Sequence, residues 1–342
     1  MIKISKKGDL ISAVDSVARG AALSKAELVV YSPDFYETAA KAKEFSKEMN
    51  TIGAENNDAV ISASIGSTIS GKRCLSIVSD ASMEIRNASQ LRLPLVVCNI
   101  SQNIDNLFSL RDTGMVLIFA ENNQEIIDSI IQSYKICEDN KVILPSLINV
   151  NNLDIREAVH LPTQQTIDKF LRKLNPKHRL GKDNVYFGVY DDQQTKQREK
   201  AMLNALNLLE KTGDKWKQKF RRELPLVEEF MTKDAEHIII TMGLHSYNAK
   251  AVVKKQRSEG KKIGLLRFRV IRPLPNIKNL IEGKNVGVVE STAILGNGGV
   301  LYNEIKHMCK CSNFISSKNL SENDFENITK KIMTGNEGTY WL

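Results

Sequence analysis

MVLIFAENNQEIIDSIIQSYKICEDNKVILPSLINV, residues 115–150, reads as strand, helix, strand. MVLIFA (115–120) is a short apolar run without polar alternation, the pattern of a strand buried on both faces. The stretch 122–139 is amphipathic, and its opening Asn residues suit a helix start. Asp139-Asn140 make a turn, and KVILPSLINV (141–150) returns as a second apolar run.

The same alternation extends upstream. Helical 9–25 leads to AELVVYSP (26–33), and helical 35–49 precedes a small-residue helix at 57–70. KRCLSIVS (72–79), helical 81–89 and LPLVVCNI (93–100) follow. Short β-rich runs alternating with helices predict a parallel sheet covered on both faces, one α/β domain over residues 1–155. Residues 156–235 read as a polar connector arm followed by a long amphipathic helix, 195–224. A second α/β domain, 236–342, begins with HIIITMG (237–243) and a helix at 246–260. It continues with KIGLLRFRV (262–270), NVGVVES (285–291) and helices at 299–308 and 322–333. AENN occurs at both 54–57 and 120–123, but the surroundings differ and no repeat is implied.

The bulk composition agrees with this organisation. At 342 residues and 42% hydrophobic content the chain can bury two cores. No apolar run reaches the ~18 residues of a membrane span, and the lysine-bearing N-terminus lacks a signal-peptide core, so a soluble cytoplasmic protein is expected. Five cysteines (74, 98, 137, 309 and 311) contain no C-x-x-C pair, which suggests reduced thiols and no iron–sulfur cluster on this chain alone. The net charge of +8 is spread over helices where basic and acidic residues interleave, the pattern of solvated faces. No nucleic-acid motif accompanies it. An acidic protein, such as a small electron carrier, is a second use for such a surface.

Several segments are candidates for chemistry. IGAENNDAVISASIGS (52–67) opens a small-residue helix with Glu55, Asn56, Asn57 and Asp58. Free N–H groups at such a start favour polar partners, so these residues either meet a ligand or cap the helix. GNGG (296–299) follows a strand and opens a helix without Rossmann or P-loop spacing, which favours a tight turn over a phosphate cradle. Arg267, Arg269 and Arg272 alternate towards RPLP (272–275) and suit a face of solvated or paired arginines. The histidines His160, His178, His237, His245 and His307 show no metal spacing; His245, after a strand at a helix start, suits packing or capping.

The segment 111–145 resembles the α subunits of pyruvate and related 2-oxoacid:ferredoxin oxidoreductases. RDTG (111–114), an apolar strand, AENNQE (120–125), an amphipathic helix with YK and ED, and a strand ending VILP stand in the family's order and spacing. Weaker echoes run from VARGAAL through ISASIGS, LRLPLVV, NPKHRL and GKKIGLLRFRVIRPLP to GNGG. The resemblance implies a pyrimidine-type thiamine diphosphate domain followed by a transketolase C-terminal-like domain. It further implies thiamine diphosphate with Mg²⁺ at the interface with a β subunit, and iron–sulfur clusters on partner subunits. The partners would be β-, γ- and δ-type subunits and ferredoxin, and the complex would turn a 2-oxoacid and coenzyme A into acyl-CoA and CO₂. This chain would hold no metal and span no membrane.

Carried over residue by residue, the resemblance sets Glu55, Asn57, Ser79 and Asp80 against the cofactor and Ser32, Asn99 and Arg111 against the substrate. The family's ESEHSA-like stretch, aligned without gaps on ISASIG, puts its first glutamate on Glu55 and its second, cofactor-contacting one on Asn57. Its PITPS turn becomes VVYSP, with Ser32 in the threonine's place, and SSQG becomes VSDAS. Ile100 stands where the family has an arginine, which removes a bidentate partner for a carboxylate. Scaffold segments persist while the cofactor- and substrate-facing ones differ. Glu55 remains as the candidate catalytic carboxylate, and a catalytically degenerate structural or regulatory paralogue is the alternative.

Overall fold

Most of the apolar runs become strands and most of the periodic segments become helices in a computed structural model, which describes residues 8–101, 105–150, 155–174 and 192–342; the expected helix of 9–25 starts only at Ala13, because Asp9–Ile11 pairs with Glu157–Val159 as a strand. The chain divides into two units. Unit 1 comprises Met1–Gln102, Ser109–Leu224 and Ile271–Pro273; unit 2 comprises Asn103–Phe108, Pro225–Val270 and Leu274–Leu342. No described helix is long and apolar enough to cross a membrane.

In chain order the first elements are β1 (Asp9–Ile11), α1 (Ala13–Leu23), β2 (Leu28–Tyr31), α2 (Tyr36–Phe45), β3 (Asn50–Gly53) and α3 (Asn57–Ile69). They continue with β4 (Cys74–Val78), α4 (Ile85–Gln90), β5 (Val96–Ile100), α5 (Asp105–Ser109), β6 (Val116–Ala120), α6 (Asn123–Cys137) and β7 (Ser146–Val150). Then come β8 (Glu157–Val159), α7 (Gln164–Phe170) and α8 (Asp192–Phe220). The expected helix of 195–224 is thus α8. NPKHRL and His178 lie outside the described residues.

Strands β2 to β7 form a parallel sheet in the order β3-β2-β4-β5-β7-β6. β4, β5, β6 and β7 are buried along their whole length, which explains why they read as continuous apolar runs. β3, at the sheet edge, was not foreseen: NTIG is mostly exposed and lacks an apolar run. α1 crosses α6 so closely that a Cβ on Gly20 would meet Ile130 at 2.6 Å. α6 is tied in turn to α8. Buried Asp128 accepts from Arg222 Nε and Nη2 (2.7 and 2.9 Å) and from the indole of Trp216 (3.1 Å).

Unit 2 contains β9 (Val227–Phe230), β10 (His237–Met242), α9 (Ser246–Ser258) and β11 (Ile263–Phe268). The chain then adds β12 (Val270–Arg272) beside β6 as the last strand of the first sheet. Unit 2 resumes with α10 (Lys278–Ile281), β13 (Asn285–Glu290), the hairpin β14 (Ala293–Ile294) and β15 (Gly298–Gly299), and α11 (Val300–Ile305). β16 (Cys311–Ile315), α12 (Glu322–Met333) and β17 (Gly338–Trp341) complete it. Its sheet order is β17-β16-β13-β10-β11-β9, parallel except for β9. α9 and α12 cover one apolar layer centred on Ile239, Val289 and Phe314.

The arginines of RFRVIR are paired and none is a solvated stripe. Buried Arg267 pairs with Glu228, buried Arg269 donates to the Pro225 carbonyl (2.8 Å), and Arg272 reaches Asp112 (3.4 Å). GNGG is a turn, with Gly296 and Gly298 at φ +79° and +76°. Its possible phosphate donors are already taken: Glu290 accepts from the N–H groups of Leu301 (2.8 Å) and Tyr302 (3.0 Å). Gly299 cannot be replaced because a Cβ there would collide with the Glu290 carboxylate.

Candidate functional site

In an open parallel sheet, ligands bind outside the carboxyl ends of strands whose connections leave in opposite directions. The first sheet reverses between β2 and β4. The chain leaves β2 through α2 to β3 on one side, whereas β4 leads through α4 to β5 on the other. Ser32 follows β2 and Ser79 follows β4, so both stand at that point.

The pairings Val78↔Asn99 and Asn99↔Asn149 show how the sheet aligns the rest of the site. Asn99 (1% exposed) donates through Nδ2 to Asn149 Oδ1 at 2.8 Å. Its own Oδ1 has no partner among the described residues. Ser32 (3% exposed) is also buried, with its Oγ unpartnered among them. Buried polar atoms normally find a partner, so these two oxygens mark an edge built for one.

The start of α3 reaches the same edge. Asn56 is the cap, accepting from Ala59 N at 2.9 Å, and Asp58 adds a favourable charge in the first turn. Asn57 does something else. Its Nδ2 donates to Ser79 Oγ and its Oδ1 accepts from Ser79 N, both at 3.3 Å. Glu55 stands exposed in the turn before the cap, and half-buried Asp80 follows Ser79. Arg111 is not brought to this edge by the fold: RDTG leads into the amino end of β6, with Arg111 Nε 3.5 Å from Asp112 and Ser89 Oγ donating to Gly114 O.

AENNQE is scaffold in this structure. Asn122 caps α6 by accepting from Glu125 N, and Asn123 Nδ2 donates to the carbonyls of Ile11 and Ile155 at 2.8 Å each. The described residues contain no group of three or more His, Cys, Asp or Glu able to hold a metal ion.

Residues 235–327 match the family described as pyruvate:ferredoxin oxidoreductase core domain II. Pyruvate synthase subunit PorA of Methanothermobacter thermautotrophicus is 28% identical over 334 residues, covering 88% of this chain and 87% of the relative. Its counterpart in Methanosarcina barkeri is 30% identical over 284 residues, covering 75% and 71%. The chain belongs to the α subunits of the 2-oxoacid:ferredoxin oxidoreductases. A structure of the 2-oxoglutarate:ferredoxin oxidoreductase of Magnetococcus marinus, with 2-oxoglutarate, coenzyme A and succinyl-CoA bound, shares the fold at TM-score 0.71 and 14% identity. The match takes in 95% of this α subunit and 65% of that chain, which is therefore about half as long again.

This α subunit thus has the expected α/β class, with two parallel-dominated sheets. Sequence reading missed Asn149, the partner that fixes Asn99. The available signal was a polar side chain at the end of an otherwise apolar strand. It also missed Glu290, which ends a buried strand in the same way.

Proposed function

We propose that the chain is the α-type subunit of a thiamine diphosphate-dependent 2-oxoacid:ferredoxin oxidoreductase. The complex would convert a 2-oxoacid and coenzyme A to acyl-CoA and CO₂ while reducing ferredoxin. Thiamine diphosphate and Mg²⁺ would sit at the interface with a β subunit, with the clusters on partner subunits. The observation that supports this most is the convergence of Ser32, Ser79, Asn57 and Asn99 on one sheet edge, with two buried oxygens there lacking partners among the described residues. In this reading Ser32 and Asn99 serve the substrate and Glu55, Asn57, Ser79 and Asp80 the cofactor, while Arg111, at the amino end of β6, has no part at this edge.

The fit to the cofactor is incomplete. The position that the resemblance gives to the activating carboxylate carries Asn57, whose amide is engaged with Ser79. An amide can hydrogen-bond a heteroaromatic ring but cannot hold the charge that favours its activated tautomer. That departure supports a second reading, a catalytically degenerate paralogue kept in such a complex as a structural or regulatory subunit.

The decisive experiment is anaerobic affinity capture of the chain from its native cell, with mass spectrometry of everything retained. Recovery of a thiamine diphosphate-binding chain and a ferredoxin-like chain supports the subunit assignment; recovery of the chain alone overturns it. Turnover then separates the two readings. A captured complex that oxidises no 2-oxoacid favours the degenerate subunit, and full activity of Glu55→Gln removes Glu55 as the activating group.

A further inference from the structure

The cysteines of the chain are not alike. Cys74, Cys98 and Cys137 are buried on β4, β5 and α6, and burial pushes each of their thiols up. Cys309 and Cys311 form a pair separated only by Lys310, and they differ in access. Cys309 is half-buried in the bend between α11 and β16, whereas Cys311, 3% exposed, is the first residue of β16.

The backbone on both sides of Cys309 is tied down. Met308 N donates to the Ile305 carbonyl at 2.8 Å, which closes the turn after α11. Val286 N donates to the Lys310 carbonyl at 3.0 Å, and Cys311 pairs with Val286 on neighbouring β13. Side chains two residues apart on an extended chain point to the same face. Here the two thiols meet. The Cys311 S–H donates to the Cys309 sulfur, which holds the Cys309 pKa below that of an ordinary thiol, against partial burial and the Glu337 charge. The same contact, together with burial and the nearby Glu290, pushes Cys311 up. The Ser312 carbonyl, 3.7 Å from Cys311 Sγ, is a second acceptor for that S–H, but a Cys309 thiolate is the stronger one. An accessible thiol that ionises early, backed by a buried thiol that stays protonated, suits an attacking and a resolving cysteine.

We propose that Cys309 and Cys311 are a modification site, closing to a reversible disulfide on reaction with a hydroperoxide, with Cys309 attacking and Cys311 resolving. The Cys309 thiolate attacks one peroxide oxygen and the O–O bond breaks. The hydroxide released takes up the proton that Cys309 lost and leaves as water, with Cys309 oxidised to a sulfenic acid. The Cys311 sulfur then attacks the Cys309 sulfur as the S–O bond breaks. The departing hydroxide takes the Cys311 proton and leaves as water. Two thiols and one hydrogen peroxide thus give one disulfide and two waters, and an external dithiol reverses the oxidation by exchange.

The test uses the full chain, reduced and freed of reductant, then treated with hydrogen peroxide, alkylated and digested with trypsin. Cleavage after Lys306 and Lys310 puts the two cysteines on separate peptides, 307–310 and 311–318, which stay joined only through a disulfide. The expected result is a linked pair, two hydrogens lighter than the two peptides together and separated by dithiothreitol. It should form at least about tenfold faster than Cys74, Cys98 or Cys137 is oxidised. Cys311→Ala should stop at the first step, with Cys309 carrying the dimedone label of a sulfenic acid. Both peptides recovered alkylated and unlinked, a linked pair found only in a covalent dimer of the chain, or equal rates at all the cysteines overturns the proposal. The linked peptides are read on the unsubstituted chain, so the test stands even if Cys311→Ala does not fold.

Discussion

Glu290 and His245 are buried titratable groups in unit 2 whose burial acts on stability in opposite directions. Burial raises Glu290 from 4.5 to about 7, against the pull of the Leu301 and Tyr302 N–H groups. Between those values the unfolded chain has lost a proton that the folded chain keeps, so stability falls as pH rises. His245 is lowered from 6.5 to about 4, so on acidification through that range only the unfolded chain takes up a proton and stability falls as pH falls. Each effect is worth about 3 kcal/mol across its full window, and they cancel where the windows overlap. Glu290→Gln should therefore expose a loss of stability on acidification, and His245→Gln a loss as pH rises. Urea melts at the two ends of the overlap check this; variant profiles parallel to the wild type would refute it. At this scale the sequence was only partly legible. Asn56 and Asn57 are adjacent and identical in type, yet one caps α3 and the other reaches Ser79, a contact 22 residues away that no local pattern encodes.

Between elements, the tie from α6 to α8 is concentrated in one carboxylate. Asp128→Ala would leave the Arg222 guanidinium and the Trp216 indole without their shared acceptor. Breaking a buried ion pair from one side costs about 3–5 kcal/mol. The expected outcome is a lower urea midpoint and a shifted Trp216 emission, with Asp128→Asn milder because it keeps an acceptor. Equal stability of Asp128→Ala and wild type would show that the tie carries no net energy. Gly20→Val tests the α1–α6 crossing: a side chain there meets Ile130, and overpacking of this kind costs about 1–3 kcal/mol. Gly20→Ser, with fewer atoms to place, should cost less. The long helices were legible because their apolar stripes are local. β3, β16 and β17 were not: NTIG, CSNFI and GTYW are short, and their strand identity comes from the neighbours they pair with.

Across the whole molecule, the alternation of apolar runs and helices was enough to give the α/β class, because a buried parallel strand has few other readings. The carboxyl-edge site was not legible in the same way, since it depends on a strand order that brings residues 32, 79, 99 and 149 together. The net charge of +8 carries its own expectation. An acidic electron carrier should associate with this chain more slowly as salt is raised, which stopped-flow mixing would measure; a salt-independent rate would exclude steering. The position of β12 has a consequence for synthesis. Residues 9–224 supply every strand of the first sheet except the one beside β6, and that strand arrives only at Val270–Arg272, after β9, β10 and β11 have been made. On the ribosome, β6 must therefore wait with an open hydrogen-bonding edge while 46 further residues, 225–270, are translated. A chain stopped at Leu224 would keep that edge permanently, and its characteristic failure would be self-association through β6.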